Sequence, residues 1–342
     1  MRFSDCYAVI ATIALVAAGT ACSANQTATH ECPPLQGDFT VSNEIHLNTR
    51  IGSNLAVDSE RRKAYVPYEE RDRHGGVLIV DLDKHEIQKD VAFSEGYGGT
   101  VALDPKSHLL YAAEGSNDMS VINVINAETG DRVRSFAAQD TIFRMALDPD
   151  RGVLYLGGDE MLWAVEPEKG DILAAIDLAA IDLDLLYDVA VDARNSLVYA
   201  ATSGGVAIID ASQNVVTAIA KVKGSDRLVA DSEHHSVYTS SGYHGVVSAI
   251  DGKTGKVTGE FGDFNTPGGI GVCGEVLFVA EGDPGELVVA NANTGQIAKS
   301  FAIGFHPTAM AFDENTGDLW VLSRADTAET TPGLLSRVSA KG

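Results

Sequence analysis

A unit of about 42 residues recurs seven times along this chain, and no other sequence feature restricts its fold as strongly. Six copies carry a short apolar tetrad that ends in Asp, followed seven residues later by an aromatic residue: LAVD and Tyr65, VALD and Tyr111, MALD and Tyr155, VAVD and Tyr199, LVAD and Tyr238, MAFD and Trp320. In the sixth copy Cys273 replaces the Asp, and Phe278 follows five residues on. A period of this length predicts a supersecondary unit that packs against its neighbouring copies.

The turn chemistry divides each copy into four strands, labelled a to d. In the second copy these are 100–103, 109–113, 120–125 and 132–136. The c–d connection ends in Gly in four of the copies, at Gly130, Gly170, Gly255 and Gly295, where a hairpin turn requires a positive φ. Repeated four-stranded units of about 40 residues are blades of a β-propeller. We therefore predict an all-β fold, a seven-bladed β-propeller of four-stranded blades.

The two ends of the chain are complementary. The seventh copy reaches strand c at about residues 334–339 and lacks a strand d, while residues 39–47 near the other end read as a strand without a partner. The sequence therefore predicts that the N-terminal strand completes the last blade. This pairing closes the ring and removes the open sheet edges that invite aggregation. The propeller domain is predicted over 38–342.

The repeats resemble a known family. The tetrad, the turn and the aromatic strand, with Tyr65-Val66-Pro67-Tyr68 as the nearest local match, are similar to the YVTN-type seven-bladed propellers. They resemble more loosely the heavy subunits of quinoprotein amine dehydrogenases and the lactonase propellers. The resemblance covers residues 38–342 and implies the blade rather than a chemistry, because this fold carries binding proteins, subunits and enzymes. In the dehydrogenases the quinone cofactor resides on a separate small subunit.

The first residues read as an export signal. Residues 7–18 are an uncharged apolar run preceded by Arg2, too short for a stable membrane span, which predicts a signal peptide over 1–21. Residues 18–22 resemble a loose bacterial lipobox with Gly19 in place of the usual Leu, so Cys22 is the candidate lipidated N-terminus. Ordinary cleavage nearby is the alternative. We expect an extracytoplasmic protein of the periplasm or outer membrane, with residues 22–37 as a tether from the lipid.

Apart from the candidate lipidation site Cys22, two cysteines, Cys32 and Cys273, remain in the predicted mature chain. An oxidising compartment permits them to pair, but their positions in the sequence leave the question open. No Cys or His spacing indicates a structural metal, and no cofactor motif occurs, so we expect neither a metal nor a cofactor.

The charge balance excludes one class of partner. The chain has 25 Lys plus Arg against 48 Asp plus Glu, a formal net charge of −23. Nucleic-acid binding requires a basic surface, and electrostatic docking on an anionic bilayer is disfavoured for the same reason. We expect contact with a membrane only through the N-terminal lipid, and a monomer or a subunit of a periplasmic complex.

In a propeller the d–a and b–c loops lie on one face, here called the loop face, and the a–b and c–d turns lie on the other, the turn face. Ligands usually meet the loop face near the axis. The residue before each tetrad should ring the channel mouth there: Asn54, Thr100, Arg144, Asp188, Arg227, Gly269 and Ala309. Phe143, Tyr187, Asp226 and His306 should lie beside them. Two arginines next to aromatic residues could hold a carboxylate or another small anion. The alternative is a salt-bridge plug of Arg144, Asp188 and Arg227 that braces the blades.

Other polar residues have simpler interpretations. The charged b–c loops, the longest at 69–74 and 324–332, read as a solvated acidic rim. His74, His244 and His306 share the loop face and would form a metal site only if their loops folded inward. The tetrad aspartates occur at repeated strand ends, so we interpret them as caps of backbone N–H groups rather than as catalytic carboxylates.

No complete catalytic set accompanies the repeats, since the sequence has no Gly-x-Ser-x-Gly elbow, no His-Glu-x-x-His and no phosphate loop. The leading hypothesis is a binding or scaffold protein that recognises a small ligand or a partner protein on the loop face. The alternative is an enzyme or enzyme subunit, either a lactonase-like hydrolase or the propeller subunit of a periplasmic quinoprotein dehydrogenase.

Overall fold

A computed structural model describes residues 32–52, 54–70, 74–94, 96–115, 119–325 and 332–341. The predicted signal peptide, Cys22 and the first part of the tether lie outside the described residues. The strands form seven antiparallel sheets of four strands each, and successive sheets contact one another around a ring that returns from the last to the first. The predicted seven-bladed β-propeller is confirmed.

The strands are numbered in chain order, and each blade follows the order a, b, c, d from the axis outwards. Blades 1 to 3 contain β2 Ala56–Asp58, β3 Lys63–Glu69, β4 Gly75–Asp81, β5 Glu86–Ala92; β6 Tyr97–Asp104, β7 Leu109–Gly115, β8 Val121–Asn126, β9 Arg132–Ala137; β10 Arg144–Asp148, β11 Val153–Gly157, β12 Met161–Val165, β13 Ile172–Asp177. A 3-10 turn, Ala179–Ile181, follows. Blades 4 to 6 contain β14 Leu186–Asp192, β15 Leu197–Thr202, β16 Gly205–Asp210, β17 Val215–Ala220; β18 Arg227–Asp231, β19 Ser236–Ser241, β20 Val246–Asp251, β21 Val257–Phe261; β22 Pro267–Cys273, β23 Val276–Glu281, β24 Glu286–Asn291, β25 Ile297–Ala302.

Blade 7 is built from both ends of the chain. It contains β26 Phe305–Phe312, β27 Leu319–Arg324, β28 Gly333–Lys341 and, as its outermost strand, β1 Asp38–His46. Strand β1 runs antiparallel to β28, with Val41 opposite Val338 and Ile45 opposite Leu335. The predicted closure of the ring by an N-terminal strand is therefore confirmed, within one residue of the predicted strand.

Burial explains the residue patterns of the strands. Strands b and c lie between neighbouring blades, so both of their faces are covered and they read as continuous apolar runs, as β11 and β23 do. The outer strands d have one wet face and alternate between exposed and partly buried residues, as in β5. Because each blade buries its faces against two others, the core is a set of clusters between blades rather than one central nucleus.

The repeated aromatic residues hold neighbouring blades together. All seven side chains are at most 4% exposed. The Tyr65 hydroxyl donates to the backbone oxygen of Ala127 (3.0 Å), and the Tyr155 hydroxyl donates to Asn214 Oδ1 (3.0 Å), in each case in the c–d turn of the next blade. Burial raises the pKa of Tyr155 to about 12. The aromatic register thus sets how successive blades dock.

The tetrad aspartates cap the a–b turns, as predicted. Each of the six carboxylates accepts a hydrogen bond from a backbone N–H two or three residues later; Asp148 Oδ1, for example, accepts from Asp150 N and Arg151 N, both at 3.0 Å. Asp148 also pairs with the Arg151 guanidinium at 2.9 Å. The aspartates are therefore structural groups of the turn face.

The sixth blade replaces this cap with a covalent bond. Cys273, in the Asp position, forms a disulfide with Cys32 of the tether, so the pairing that the sequence left open does occur. The bond fastens the segment before β1 to the turn face of blade 6. No helix in the described chain is long and apolar enough to cross a membrane.

Candidate functional site

The axis of the ring opens on the loop face as a polar hollow, here called the channel-mouth cavity. Its volume is about 170 Å³. Its described lining combines the residues before the tetrads with the first residues of the tetrads: Asn54, Leu55, Thr100, Arg144, Met145, Asp188, Val189, Arg227, Leu228, Gly269, Ile270, Thr308, Ala309 and Met310. The seven residues that the repeat placed at the mouth are thus brought together, including Arg144, Asp188 and Arg227.

The inner strands present backbone N–H groups to this cavity. A strand a has a partner on one edge only, so every second N–H points to the axis. Asn54 Oδ1 accepts from Val101 N (3.1 Å), and Asp188 Oδ2 accepts from Leu228 N (2.9 Å), each reaching from one blade to the next. Asp188 Oδ1 accepts from its neighbour Val189 N (3.0 Å). In these blades the axial N–H groups are capped by side chains.

Other blades lack such a cap. Met145, Ile270 and Met310 occupy the same step of the a–b ladder as Val101 and Leu228, so their N–H groups also face the cavity. The preceding blades place Thr100, Arg227 and Gly269 at the capping position, and in the described chain no side chain accepts from these three N–H groups. In the described chain, the channel-mouth cavity therefore contains three backbone N–H groups that no side chain caps.

Arg144 is held in place by backbone oxygens. Its side chain is 17% exposed; Nε donates to Tyr187 O (2.6 Å), and a terminal nitrogen donates to Phe143 O (2.7 Å). The nearest oxygen of Asp188 lies 3.7 Å from Nε. Burial, with the nearby charge of Arg227, lowers the pKa of Arg144 to about 10, which still leaves the group charged at neutral pH.

Arg227 is less well satisfied. One terminal nitrogen donates to Asp226 O (3.0 Å), while its buried Nε has no hydrogen-bond partner. Within the described residues no carboxylate oxygen lies within 4.0 Å of its guanidinium. Buried Thr100 Oγ1, on the cavity wall, also lacks a partner. Arg144 and Asp188 form the ion pair of the predicted plug, at 3.7 Å, and the described lining holds two guanidinium groups and one carboxylate.

The other predicted site residues surround the cavity without lining it. Phe143 contributes its backbone oxygen to Arg144, and Tyr187, 37% exposed, does the same. The carboxylate of Asp226 accepts from Gly242 N (2.7 Å) and so fixes the b–c turn of blade 5. His306 is exposed at the start of blade 7, where its backbone N–H donates a hydrogen bond to Gly282 O (3.2 Å).

A second hollow adjoins the first on the same face, here called the side cavity. It measures about 330 Å³ and shares Arg144 and Thr308 with the channel-mouth cavity. Its remaining lining is Ile51, Gly52, Glu69, Gly98, Gly99, Ile142, Phe143 and Arg324. Sequence reasoning missed this cavity, whose lining includes the adjacent glycines Gly98 and Gly99 near the start of β6.

The described part of the loop-face rim does not gather metal ligands. Among the described residues no group of three or more His, Cys, Asp or Glu side chains is close enough to hold a metal ion. Buried Glu114 accepts a hydrogen bond from Asn123 Nδ2 (2.8 Å), and buried Glu281 accepts one from Asn265 N (2.8 Å). Both carboxylates therefore make hydrogen bonds within the protein. Burial raises the pKa of Glu281.

No protein-family model matches the sequence, and no curated protein matches it either. The structure shows the fold as a ring of seven four-stranded blades, with a cavity at the axis of the loop face that Arg144, Asp188 and Arg227 line.

Proposed function

We propose that this protein is an extracytoplasmic binding protein of the YVTN-type propeller family, and that it takes a small ligand at the channel mouth of the loop face. The observation that carries the proposal is a cavity lined by two arginines, Arg144 and Arg227, in which buried Arg227 Nε has no hydrogen-bond partner. The chain as a whole has a charge of −23, so two arginines close together at the mouth differ from the rest of its surface, and they favour a negatively charged ligand.

The lining favours binding over catalysis. The described residues of the channel-mouth cavity offer the hydroxyls of Thr100 and Thr308 but no histidine or lysine to activate them. Both oxygens of Asp188 accept backbone hydrogen bonds and hold the inner strands in place. A lactonase-like hydrolase or a dehydrogenase subunit therefore remains the alternative to be tested by assay.

The disulfide supports the proposed location. Such bonds persist in oxidising compartments and are rare in the cytosol. With the signal peptide predicted over 1–21, this supports export, and a lipid on Cys22 would place the ring in the periplasm or at the outer membrane. Intact mass of the native protein tests both processing and lipidation.

The experiment is gentle purification from native membranes followed by mass spectrometry of the molecules that remain bound. We expect a small anionic ligand with the natural chain and its loss from an Arg144→Ala, Arg227→Ala double variant. Arg194→Ala is the matched control, because Arg194 lies in an a–b turn on the opposite face. Retention of the ligand by the double variant would refute the site. Turnover of a lactone or an amine that depends on Arg144 would refute the binding role.

A partner protein is the second candidate for the loop face. The observation that favours it is Tyr243, 93% exposed on the b–c turn of blade 5 with its ring edge-on to His244 at 4.9 Å. Exposed aromatic residues are frequent anchors of protein interfaces. Under this alternative, Tyr243→Ala removes a co-purifying protein and leaves any small ligand in place.

A further inference from the structure

We infer that the ligand is a small monocarboxylic acid with an apolar tail, whose carboxylate binds between Arg144 and Arg227 and whose tail lies in the side cavity over Gly99. This inference rests on the proposed function, which requires only that some ligand binds at the channel mouth. Three features of the two cavities support it: the charge around the head, the donors that meet the head, and the space for the tail.

The charge of the channel-mouth cavity fits a monoanion. Among the described residues of the lining, Arg144 and Arg227 stand against Asp188, which is a net charge of +1. A carboxylate neutralises this charge, whereas a phosphate monoester carries about −1.5 to −2 at pH 7 and would leave negative charge beside Asp188. The surrounding chain, at −23, gives no support to a dianion.

The free donors also fit a carboxylate. Arg227 Nε is buried without a partner, and the axial N–H groups of Ile270 and Met310 face the same space. Two oxygens in a plane can accept from a guanidinium edge and from backbone N–H groups at once. A buried donor without an acceptor destabilises the protein, so a ligand oxygen that accepts its hydrogen bond removes that free-energy cost.

The tail has a ready place. The side cavity shares Arg144 and Thr308 with the channel-mouth cavity, and the apolar part of its described lining consists of Ile51, Ile142 and Phe143, with Gly98 and Gly99. Ile142 is fully buried and Phe143 partly so. The charged side chains of the lining are Arg144, where the two cavities meet, and Glu69 and Arg324, the latter two from the ends of strands b. We place the apolar chain against Ile51, Ile142 and Phe143.

Gly99 offers a way to close this space without touching the arginines. A Cβ built at Gly99 meets only Ile142 O at 3.5 Å and Ala113 O at 3.9 Å, which are ordinary contacts. The neighbouring Gly98 does not tolerate one, because its Cβ would lie 2.4 Å from Gly76 O. Gly99→Ala adds a Cβ that this position accepts, and Gly99→Val adds two further methyl groups, so we expect the two substitutions to narrow the side cavity in steps.

The test is calorimetric titration of the full chain with acetate, hexanoate and inorganic phosphate. Hexanoate has four more methylenes than acetate, and each buried methylene is worth about fourfold in affinity. We expect hexanoate to bind at least about tenfold more tightly than acetate, since part of the tail stays wet, and phosphate to bind more weakly than either acid.

The variants separate head from tail. Gly99→Val should reduce hexanoate affinity to near that of acetate and leave acetate unchanged, with Gly99→Ala between. An Arg144→Gln, Arg227→Gln variant should weaken both acids at least about tenfold. Gly262→Val, at a position with open space around its Cβ, is the control and should change neither. Thermal melts establish that each variant is folded.

The outcomes are distinct from those of the proposed function. Equal affinity for hexanoate and acetate would refute the claim that the apolar tail lies in the side cavity. A Gly99→Val variant that still prefers hexanoate to acetate would refute it too. Tighter binding of phosphate overturns the carboxylate head. If none of the three probes binds while the natively purified protein still loses its ligand in the Arg144→Ala, Arg227→Ala variant, this inference fails and the proposed function stands. If that purified ligand is absent or indifferent to the arginines, the proposed function itself fails.

Discussion

At the residue scale, Asp188 has two roles with opposite effects on a bound anion. Its oxygens accept from Val189 N and Leu228 N and so join blades 4 and 5, while its charge lies 3.7 Å from Arg144 Nε and offsets part of the cationic mouth. Removing the side chain exposes two donors, whereas the isosteric amide keeps one acceptor and loses the charge. The two effects are separable by substitution.

Asp188→Asn should lower the free energy of unfolding by about 1 kcal/mol, since one of the two partly exposed acceptor oxygens is lost, and Asp188→Ala by about 2 kcal/mol. Both variants should bind acetate more tightly than the natural chain, because the opposing negative charge is gone. Denaturant unfolding and calorimetric titration measure the two quantities. Weaker acetate binding by the folded Asn variant would show that Asp188 orients the ligand instead.

The tetrad aspartates allow a second test at this scale. Asp148 is fully buried, caps two N–H groups and pairs with Arg151. Asp148→Ala should therefore cost about 2–3 kcal/mol of stability. Asp150→Ala, two residues away, removes only an exposed ion pair with Lys106 and should cost less than about 1 kcal/mol. Chemical denaturation measures the free energy of unfolding of both variants. Equal losses of stability would contradict the capping role of Asp148.

At the scale of elements, β1 is the strand whose pairing depends most on distant sequence. Its Phe39 packs edge-on against Phe278 (5.6 Å) and near-parallel to Phe301 (6.3 Å), so the N-terminal strand reaches the core between blades 6 and 7. Its neighbour Thr40 contributes only a long hydrogen bond to Ser339 O (3.5 Å). The two positions sample different faces of one strand.

Phe39→Ala should lower the free energy of unfolding by about 2–3 kcal/mol, somewhat less than for a fully buried Phe, because the ring is partly exposed. Thr40→Ala should change it by less than about 1 kcal/mol. Hydrogen exchange of the β28 amides measures the local stability of the β1–β28 pairing. We expect these amides to exchange faster in the Phe39→Ala variant and to keep their natural rates in the Thr40→Ala variant. Comparable effects of both substitutions would mean that β1 is held by its ladder and not by its packing.

The disulfide acts on the same element. It links Cys32 to Cys273 across 241 residues of sequence, and loss of a native disulfide usually costs about 2–5 kcal/mol. We expect Cys32→Ser, Cys273→Ser to lower the melting temperature and to loosen β1 first. Reduction of the natural chain should reproduce this shift, whereas reduction of the double variant should have no effect. A shift upon reduction in the double variant would contradict the assignment of the bond.

At the scale of the whole molecule, stability depends on closure. Every blade has a neighbour on both sides, and blade 7 obtains its fourth strand from the opposite end of the chain. Without β1 the outer edge of β28 would present unpaired N–H and C=O groups, which recruit other strands. We therefore expect the ring to unfold as one cooperative unit rather than blade by blade.

A chain that begins at Asn48 should associate through this edge, while a chain that begins at Asp38 keeps β1 and should stay monomeric. Light scattering after size exclusion measures the difference. The matched pair separates the strand from the tether, because both chains lack Cys32. Monomeric behaviour of the shorter chain would show that three strands suffice for blade 7.

The repeat and the architecture built on it could be predicted from the sequence. The period of the tetrads predicted seven blades, the unpartnered strand near residue 40 predicted the closure, and the aspartates at strand ends predicted the turn caps. These features are local patterns repeated in register, so chain periodicity is enough to find them. The same periodicity placed Arg144, Asp188 and Arg227 together at the mouth, because equivalent positions of a ring converge on its axis.

Which of these groups are satisfied could be learned only from the folded chain. Whether Arg227 meets a carboxylate, whether Cys32 reaches Cys273, and which axial N–H groups have caps depend on distances between blades that are far apart in sequence. The side cavity is likewise a gap between blades rather than a motif. Hydrogen bonding and charge act over a few ångströms, whereas a repeat pattern fixes positions only to the nearest strand. Periodicity therefore determines the architecture, and the distances between blades determine the chemistry of the mouth.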